Sequence, residues 1–196
     1  MIIFIVLFFI LFLLWTYNMR KGNLDKIDKK VYSLIYFNNG LTSFFKLITD
    51  LASTKFLILV SFLLLIFIRD KYLVFTFISC LIINSCLIGL AKNLLRRTRP
   101  NINRLVNEKG YSYPSGHTMS ATSLYGITIL LVIVSNTVLP IKILLISLFV
   151  ILILLIGFSR IYLGVHYFSD VIGGLLLASS YIFLYSYLIH FILNII

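Results

Sequence analysis

Residues 72–100 read YLVFTFISCLIINSCLIGLAKNLLRRTRP. From Tyr72 to Leu95 the one formal charge is Lys92. A helix over this stretch is long enough for the hydrocarbon core, which needs about 20 apolar residues. Lys92 falls near the end of that helix, where an ionisable group is costly and marks a functional position. The run then breaks into Arg96, Arg97 and Arg99, and Pro100 pushes Arg99 out of helical geometry. The stretch reads as a membrane helix that delivers cations to a polar loop.

The rest of the 196-residue chain agrees with this reading. It is 61% hydrophobic and 12% charged, whereas soluble domains are about a quarter charged. Apolar runs at Met1–Tyr17, Phe56–Ile68, Tyr72–Leu95, Gly116–Ser135, Ile141–Gly157 and Val171–Ile196 are six candidate spans. Met1–Tyr17 lacks a basic leader region and a small-residue cleavage site, so a retained span is expected there. Residues 18–30 read as a polar loop. Residues 31–50 carry apolar positions at helical spacing, broken at Asn38-Asn39-Gly40, and read as two short interfacial helices, a candidate lid or gate for lipid. The expected fold is all-α: a polytopic membrane helix bundle of six transmembrane helices plus short interfacial helices, in one membrane-embedded domain over residues 1–196. Gly173, Gly174, Ala178 and Ser179 suit close helix approach. Six spans place the loop at 96–115 and the polar segment at 159–170 on the same side.

The net charge is +11. The basic residues lie between apolar runs, with no soluble basic domain to carry a nucleic-acid face. Membrane lipids and an anionic substrate are the expected partners, and nucleic acid is not. Cys80 and Cys86 are six apart inside one span, on different helix faces, and have no metal-ligand spacing.

Three polar clusters carry the chemistry. The first is Lys92 with Arg99-Pro100: converging cations, one a point charge and one a planar fork, are what a phosphate requires. Arg96 and Arg97 read as a basic patch touching lipid head groups. The second is Pro114-Ser115-Gly116-His117, at the start of the fourth span. Ser115 suits an N-cap, Gly116 permits close backbone approach, and the first N–H groups of the helix favour an anion. The third is Ser159-Arg160 followed by His166 and Asp170. If that segment is helical, residues four apart share a face, and the carboxylate holds the imidazole by one ring nitrogen. The other nitrogen is then a directed nucleophile or base. The third histidine, His190, sits in the last span with no charged neighbour and reads as structural.

The patterns Lys92-x6-Arg99-Pro100, Pro114-Ser115-Gly116-His117 and Ser159-Arg160-x5-His166-x3-Asp170 resemble the three signature motifs of the type 2 phosphatidic acid phosphatase superfamily. The resemblance covers roughly residues 50–190, and is greatest to small bacterial phosphatidylglycerophosphatase B and undecaprenyl-diphosphate phosphatase types. It implies hydrolysis of lipid phosphates or diphosphates without metal or other cofactor. His166 would be the nucleophile, supported by Asp170, and His117 the proton donor. Lys92, Arg99, Ser115, Gly116 and Arg160 would bind the phosphate. The resemblance also implies a bacterial plasma-membrane protein with an extracytoplasmic site. The positive-inside rule points the other way, because the side of the termini would carry only Arg69, Lys71 and Lys142 among the Lys and Arg residues. A catalytically silent lipid-phosphate binding or transport protein is the alternative on the same scaffold.

Overall fold

The computed structural model describes residues 1–35, 39–101 and 104–193. These residues form eight α-helices and a short 3₁₀ turn: α1 (Ile2–Arg20), α2 (Asp25–Ile35), α3 (Thr42–Asp50), α4 (Thr54–Phe67), α5 (Lys71–Leu95), α6 (Gly116–Val134), α7 (Leu139–Tyr162) and α8 (Phe168–Leu193), with the 3₁₀ turn at Asn39–Leu41. Among the described residues, α1, α5, α6, α7 and α8 are each long and apolar enough to cross a membrane. A sixth crossing forms if α3 and α4, bent by 42°, count as one span.

Local chemistry sets the helix ends. Asp70 caps α5 by accepting from the N–H groups of Tyr72 and Leu73 at 2.9 and 3.1 Å. At the other end Arg96 turns left-handed, with φ 46°, and its N–H donates to the Lys92 carbonyl. Pro140 occupies the first turn of α7, where no intrahelical N–H is missed. The long helices and α4 are mostly apolar around their circumference, and large side chains of α1, α4 and α7 remain exposed, as a lipid-facing surface requires.

The expected six-span outline needs three corrections. First, the segment 18–30 is not a loop. α1 runs to Arg20, a four-residue turn follows with Gly22 at φ 74°, and α2 starts at Asp25. Polar residues there cover an amphipathic helix rather than an irregular connection. Second, the span expected at Phe56–Ile68 is the 14-residue α4, roughly 21 Å long and too short to cross alone. Ser53 caps it, and the chain bends into α3 at Leu51–Ser53. Third, α7 is longer than Ile141–Gly157, reaching Tyr162, while the last span starts at Phe168. Asn38 and the end of that span at 194–196 lie outside the described residues.

α6 and α8 form the centre, with α1 along the outer side of α8, α5 and α7 against α6, and α3 laid on α7. Cys80, Met119, Ala121, Ile127, Ile156 and Ala178 are fully enclosed. Cys86 is exposed, apart from Cys80. Buried hydroxyls find backbone carbonyls, Tyr181 on Cys80 at 2.7 Å and Tyr185 on Thr76 at 2.8 Å. The glycines of α8 admit close neighbours. A Cβ on Gly173 would run into the Tyr113 ring, and one on Gly174 would lie 3.0 Å from the Ser115 carbonyl oxygen. These two positions let the loop before α6 dock against the start of α8.

Candidate active site

A polar cavity of about 270 Å³ opens where α4, α5, α6 and the two polar loops meet. Of the eight residues singled out from the sequence, Lys92, Arg99, Gly116, His117 and His166 line it. Ser115, Arg160 and Asp170 lie behind the lining.

The loop 96–115 folds back onto the connection between α7 and α8. Ser112 N–H donates to the Arg97 carbonyl at 2.8 Å, and Leu105 N–H to the Leu163 carbonyl at 3.1 Å. Arg99 is buried, and its guanidinium bridges this loop and the connection between α7 and α8. Nε donates to the Gly110 carbonyl at 3.1 Å, Nη2 to the Lys109 carbonyl at 3.1 Å, and Nη1 to the Val165 carbonyl at 3.0 Å. Nη1 also lies 3.2 Å from His166 Nε2. A guanidinium only donates. Nε2 therefore offers a lone pair, and the ring proton sits on Nδ1.

His166 is not on a helix with Asp170, contrary to the expected shared helical face. α7 stops at Tyr162, Gly164 turns left-handed at φ 71°, and α8 begins at Phe168. Their proximity comes from the helix start instead. Asp170, in the first turn of α8, accepts from the Tyr167 N–H at 2.8 Å, so its carboxylate reaches back over the turn. The same Oδ2 lies 3.4 Å from His166 Nδ1. Both side chains are buried, and burial pushes the His166 imidazole down to about 4, against the pull of Asp170.

Arg160 also sits deeper than expected. It is 1% exposed and donates to Thr49 Oγ1 at 2.9 Å and to Glu108 Oε1 at 2.5 Å. Its Nε–H has no hydrogen-bond partner among the described residues, leaving one donor unspent. Ser115 caps α6, accepting from the Thr118 N–H at 3.4 Å. At Gly116 an added Cβ would make only ordinary contacts, the nearest with Ile88 and the Lys92 ammonium. The protein's own packing does not require glycine there, and the space lies on the cavity side.

Five residues at or around the site escaped the sequence reading: Ser112, Glu108, Arg97, Asp28 and Thr49. Ser112 donates to Asp170 Oδ2 and lies 3.4 Å from His166 Nδ1. Glu108 lines the cavity, pairs with Arg160 and lies 3.9 Å from Arg99. Burial works against its charge, but Arg160 holds its carboxyl below the usual range. Arg97 is not a head-group contact. It donates to Asp170 Oδ1 at 2.7 Å and to Asp28 Oδ2 at 2.8 Å, and Asp28 is buried. Arg96, by contrast, is exposed. Thr49 and Asp28 come from the segment before residue 51, so α2 and α3 help build the site's outer shell. Among the described residues no group of three or more His, Cys, Asp or Glu side chains is placed to hold a metal ion.

An all-helical bundle with membrane-spanning helices thus gathers two imidazoles, a buried carboxylate and the cations Lys92, Arg99 and Arg160 in and behind one polar cavity. A family model for the PAP2 superfamily matches residues 73–193, and the chain belongs to that superfamily. It is 34% identical to phosphatidylglycerophosphatase B of Bacillus subtilis (strain 168) over 94 residues, which are 47% of this chain and 46% of that protein. The match thus spans about half the length of that relative. The crystal structure of a transmembrane PAP2-type phosphatidylglycerolphosphate phosphatase from Bacillus subtilis shares the fold, with TM-score 0.86 at 24% identity over 98% of each chain. The crystal structure of Aquifex aeolicus LpxE is also similar, with TM-score 0.63 at 28% identity, covering 81% of this chain and 93% of that one.

Proposed function

We propose that this protein hydrolyses lipid phosphates or diphosphates at the membrane surface through a phosphohistidine on His166, without a metal ion. The observation that carries the reading is His166 on the wall of a cavity also lined by Lys92, Arg99 and His117, with Nδ1 3.4 Å from Asp170 and Nε2 3.2 Å from the Arg99 guanidinium. In the first step Nε2 bonds to phosphorus and the bond from phosphorus to the lipid oxygen breaks. His117, on the cavity wall, gives its proton to that oxygen. In the second step His117 takes a proton from water as the water oxygen attacks phosphorus. The P–N bond breaks and inorganic phosphate leaves. Lys92, Arg99, the free Nε–H of Arg160 and the N–H groups at the start of α6 hold the charge on the phosphoryl oxygens. Asp170 orients the ring and offsets the imidazolium charge.

A lipid substrate fits the shape of the cavity's surroundings. Thr54, Leu57 and Ser85 belong both to the catalytic cavity and to an apolar groove between α4 and α5. The groove runs through Ile58 and Phe62 to Leu65 and Ile78. From Thr54 to Leu65 this is roughly 16 Å at helical rise, length for an acyl or prenyl chain beside a phosphate held at the cavity. Phosphatidylglycerophosphate is the leading substrate, supported by the name of the Bacillus relative. Undecaprenyl diphosphate and phosphatidate are the competitors. The site faces the extracytoplasmic side of a bacterial plasma membrane in this reading.

The test is phosphate release by purified protein in detergent with EDTA, from phosphatidylglycerophosphate, undecaprenyl diphosphate, phosphatidate and a soluble sugar phosphate. Release from a lipid and not from the sugar phosphate is expected. Release that requires added metal would remove the metal-free mechanism. No release from any lipid would leave a silent lipid-phosphate binding protein.

A further inference from the structure

The Asp28–Arg97–Asp170 chain ties a helix outside the matched family region to the proposed nucleophile. Arg97 is forked between two buried carboxylates. Nη1 donates to Asp170 Oδ1 at 2.7 Å and to Ser169 Oγ at 2.6 Å, while Nη2 donates to Asp28 Oδ2 at 2.8 Å. Its guanidinium lies over the Tyr167 ring, 4.2 Å from the centroid. Asp28, from α2, is 3% exposed and also accepts from the Ser169 N–H at 2.8 Å and the Ser169 hydroxyl at 2.6 Å.

We propose that Asp28 and Arg97 are positioning residues for the His166–Asp170 pair, with Asp28 sharing the Arg97 charge so that the pair stays anionic. This rests on the phosphatase reading above.

The charge count carries the argument. Asp28, Arg97 and Asp170 together hold one net negative charge. When Nε2 bonds to phosphorus, the His166 ring becomes cationic, and the whole chain becomes neutral. Remove the Asp28 charge and Arg97 falls wholly to Asp170. The carboxylate beside Nδ1 is then already neutralised, and the imidazolium forms without a compensating charge. The geometry is also held from this side. The planar fork fixes Oδ1 of Asp170, the stacked Tyr167 ring fixes the fork, and Asp28 fixes its far end. Oδ2 of Asp170 is thereby left for Nδ1, Ser112 and the Tyr167 N–H. Fixing partners of this kind are typically worth about 10–100-fold in activity at metal-bound histidines. A plain structural tie is the competing role, since Asp28 also caps the start of α8.

Asp28→Asn, Asp28→Glu and Arg97→Lys, in the full chain in detergent, separate the two roles. For Asp28→Asn, kcat on the lipid phosphate falls about tenfold or more, with KM and orthovanadate affinity held within about twofold. Asp28→Glu restores most of kcat because it restores the charge. Arg97→Lys does not restore it, because a point charge cannot serve two carboxylates. Histidine ¹⁵N NMR, with the resonance assigned from His166→Gln, reads the Nδ1–H of His166 independently of turnover. That resonance moves in Asp28→Asn and returns in Asp28→Glu. Wild-type kcat in Asp28→Asn, an unmoved resonance, or equal loss in the Asn and Glu variants would overturn the proposal. A wild type without phosphatase activity but with a resonance that responds to Asp28 would sink the phosphatase reading and keep the positioning one.

Discussion

Removing one hydroxyl, in Ser112→Ala, tests the proposed nucleophile's support without touching the cavity. Ser112 is fully buried, donates to Asp170 Oδ2 and lies 3.4 Å from His166 Nδ1. It is absent from the cavity lining, so phosphate binding should survive. A hydrogen bond to a charged group is worth about 1.5–3 kcal/mol net. Asp170 keeps Arg97 and the Tyr167 N–H as donors, so the lower end applies. At about 1.4 kcal/mol per factor of ten, kcat falls about tenfold with KM unchanged. The assay is the initial rate of phosphate release from a short-chain lipid phosphate in detergent with EDTA, with His166→Ala as the blank. A kcat within twofold of wild type, in protein that melts normally, would refute the role assigned to the Asp170 hydrogen-bond shell.

Other outcomes follow from the same geometry. The native His166 ring titrates near 4 and the unfolded ring near 6.5, so the native state binds fewer protons between those values. Stability from this group is full above about 6.5 and is lost as pH falls toward 4; the melting temperature should drop more for wild type than for His166→Gln over that window. Gly173→Ala drives a Cβ into the Tyr113 ring, and overpacking costs about 1–3 kcal/mol. At about 2–4 °C per kcal/mol, a detergent thermal melt should fall by roughly 2–12 °C. Arg160→Lys keeps the charge but cannot reproduce the fork to Thr49 and Glu108, so KM should rise more than kcat falls. With Cys80 and Cys86 replaced by Ser, Asn107→Cys should react with a membrane-impermeant maleimide on intact cells if the site faces outward.

Much of the bundle was legible because lipid demands long apolar runs, and those runs are hard to miss. The site's lining was legible because Lys92, Arg99, His117 and His166 are expensive residues in such a setting. The second span is legible as an apolar run but its bounds are not, because α4 is short on its own and gains length only through the bend at Leu51–Ser53. Segment 18–30 was taken for a loop because its polarity hides a surface helix. Asp28 and Arg97 were illegible for a different reason. One of two aspartates in a lysine-rich stretch and one arginine among three both read as solvated charge until the fold places Asp28 and Arg97 2.8 Å apart. Ser112 and Glu108 likewise carry no local pattern, and only the folding back of the 96–115 loop gives them partners.

The most direct test of the central claim is rapid-quench trapping of the covalent intermediate. Wild-type protein and His166→Ala would be mixed with ³²P-labelled phosphatidylglycerophosphate in detergent with EDTA, quenched in base and mapped. The account predicts an acid-labile, base-stable label on the peptide containing His166, absent from the variant. Phosphate release by the His166→Ala protein at the wild-type rate, or turnover without any histidine-bound label, would contradict it.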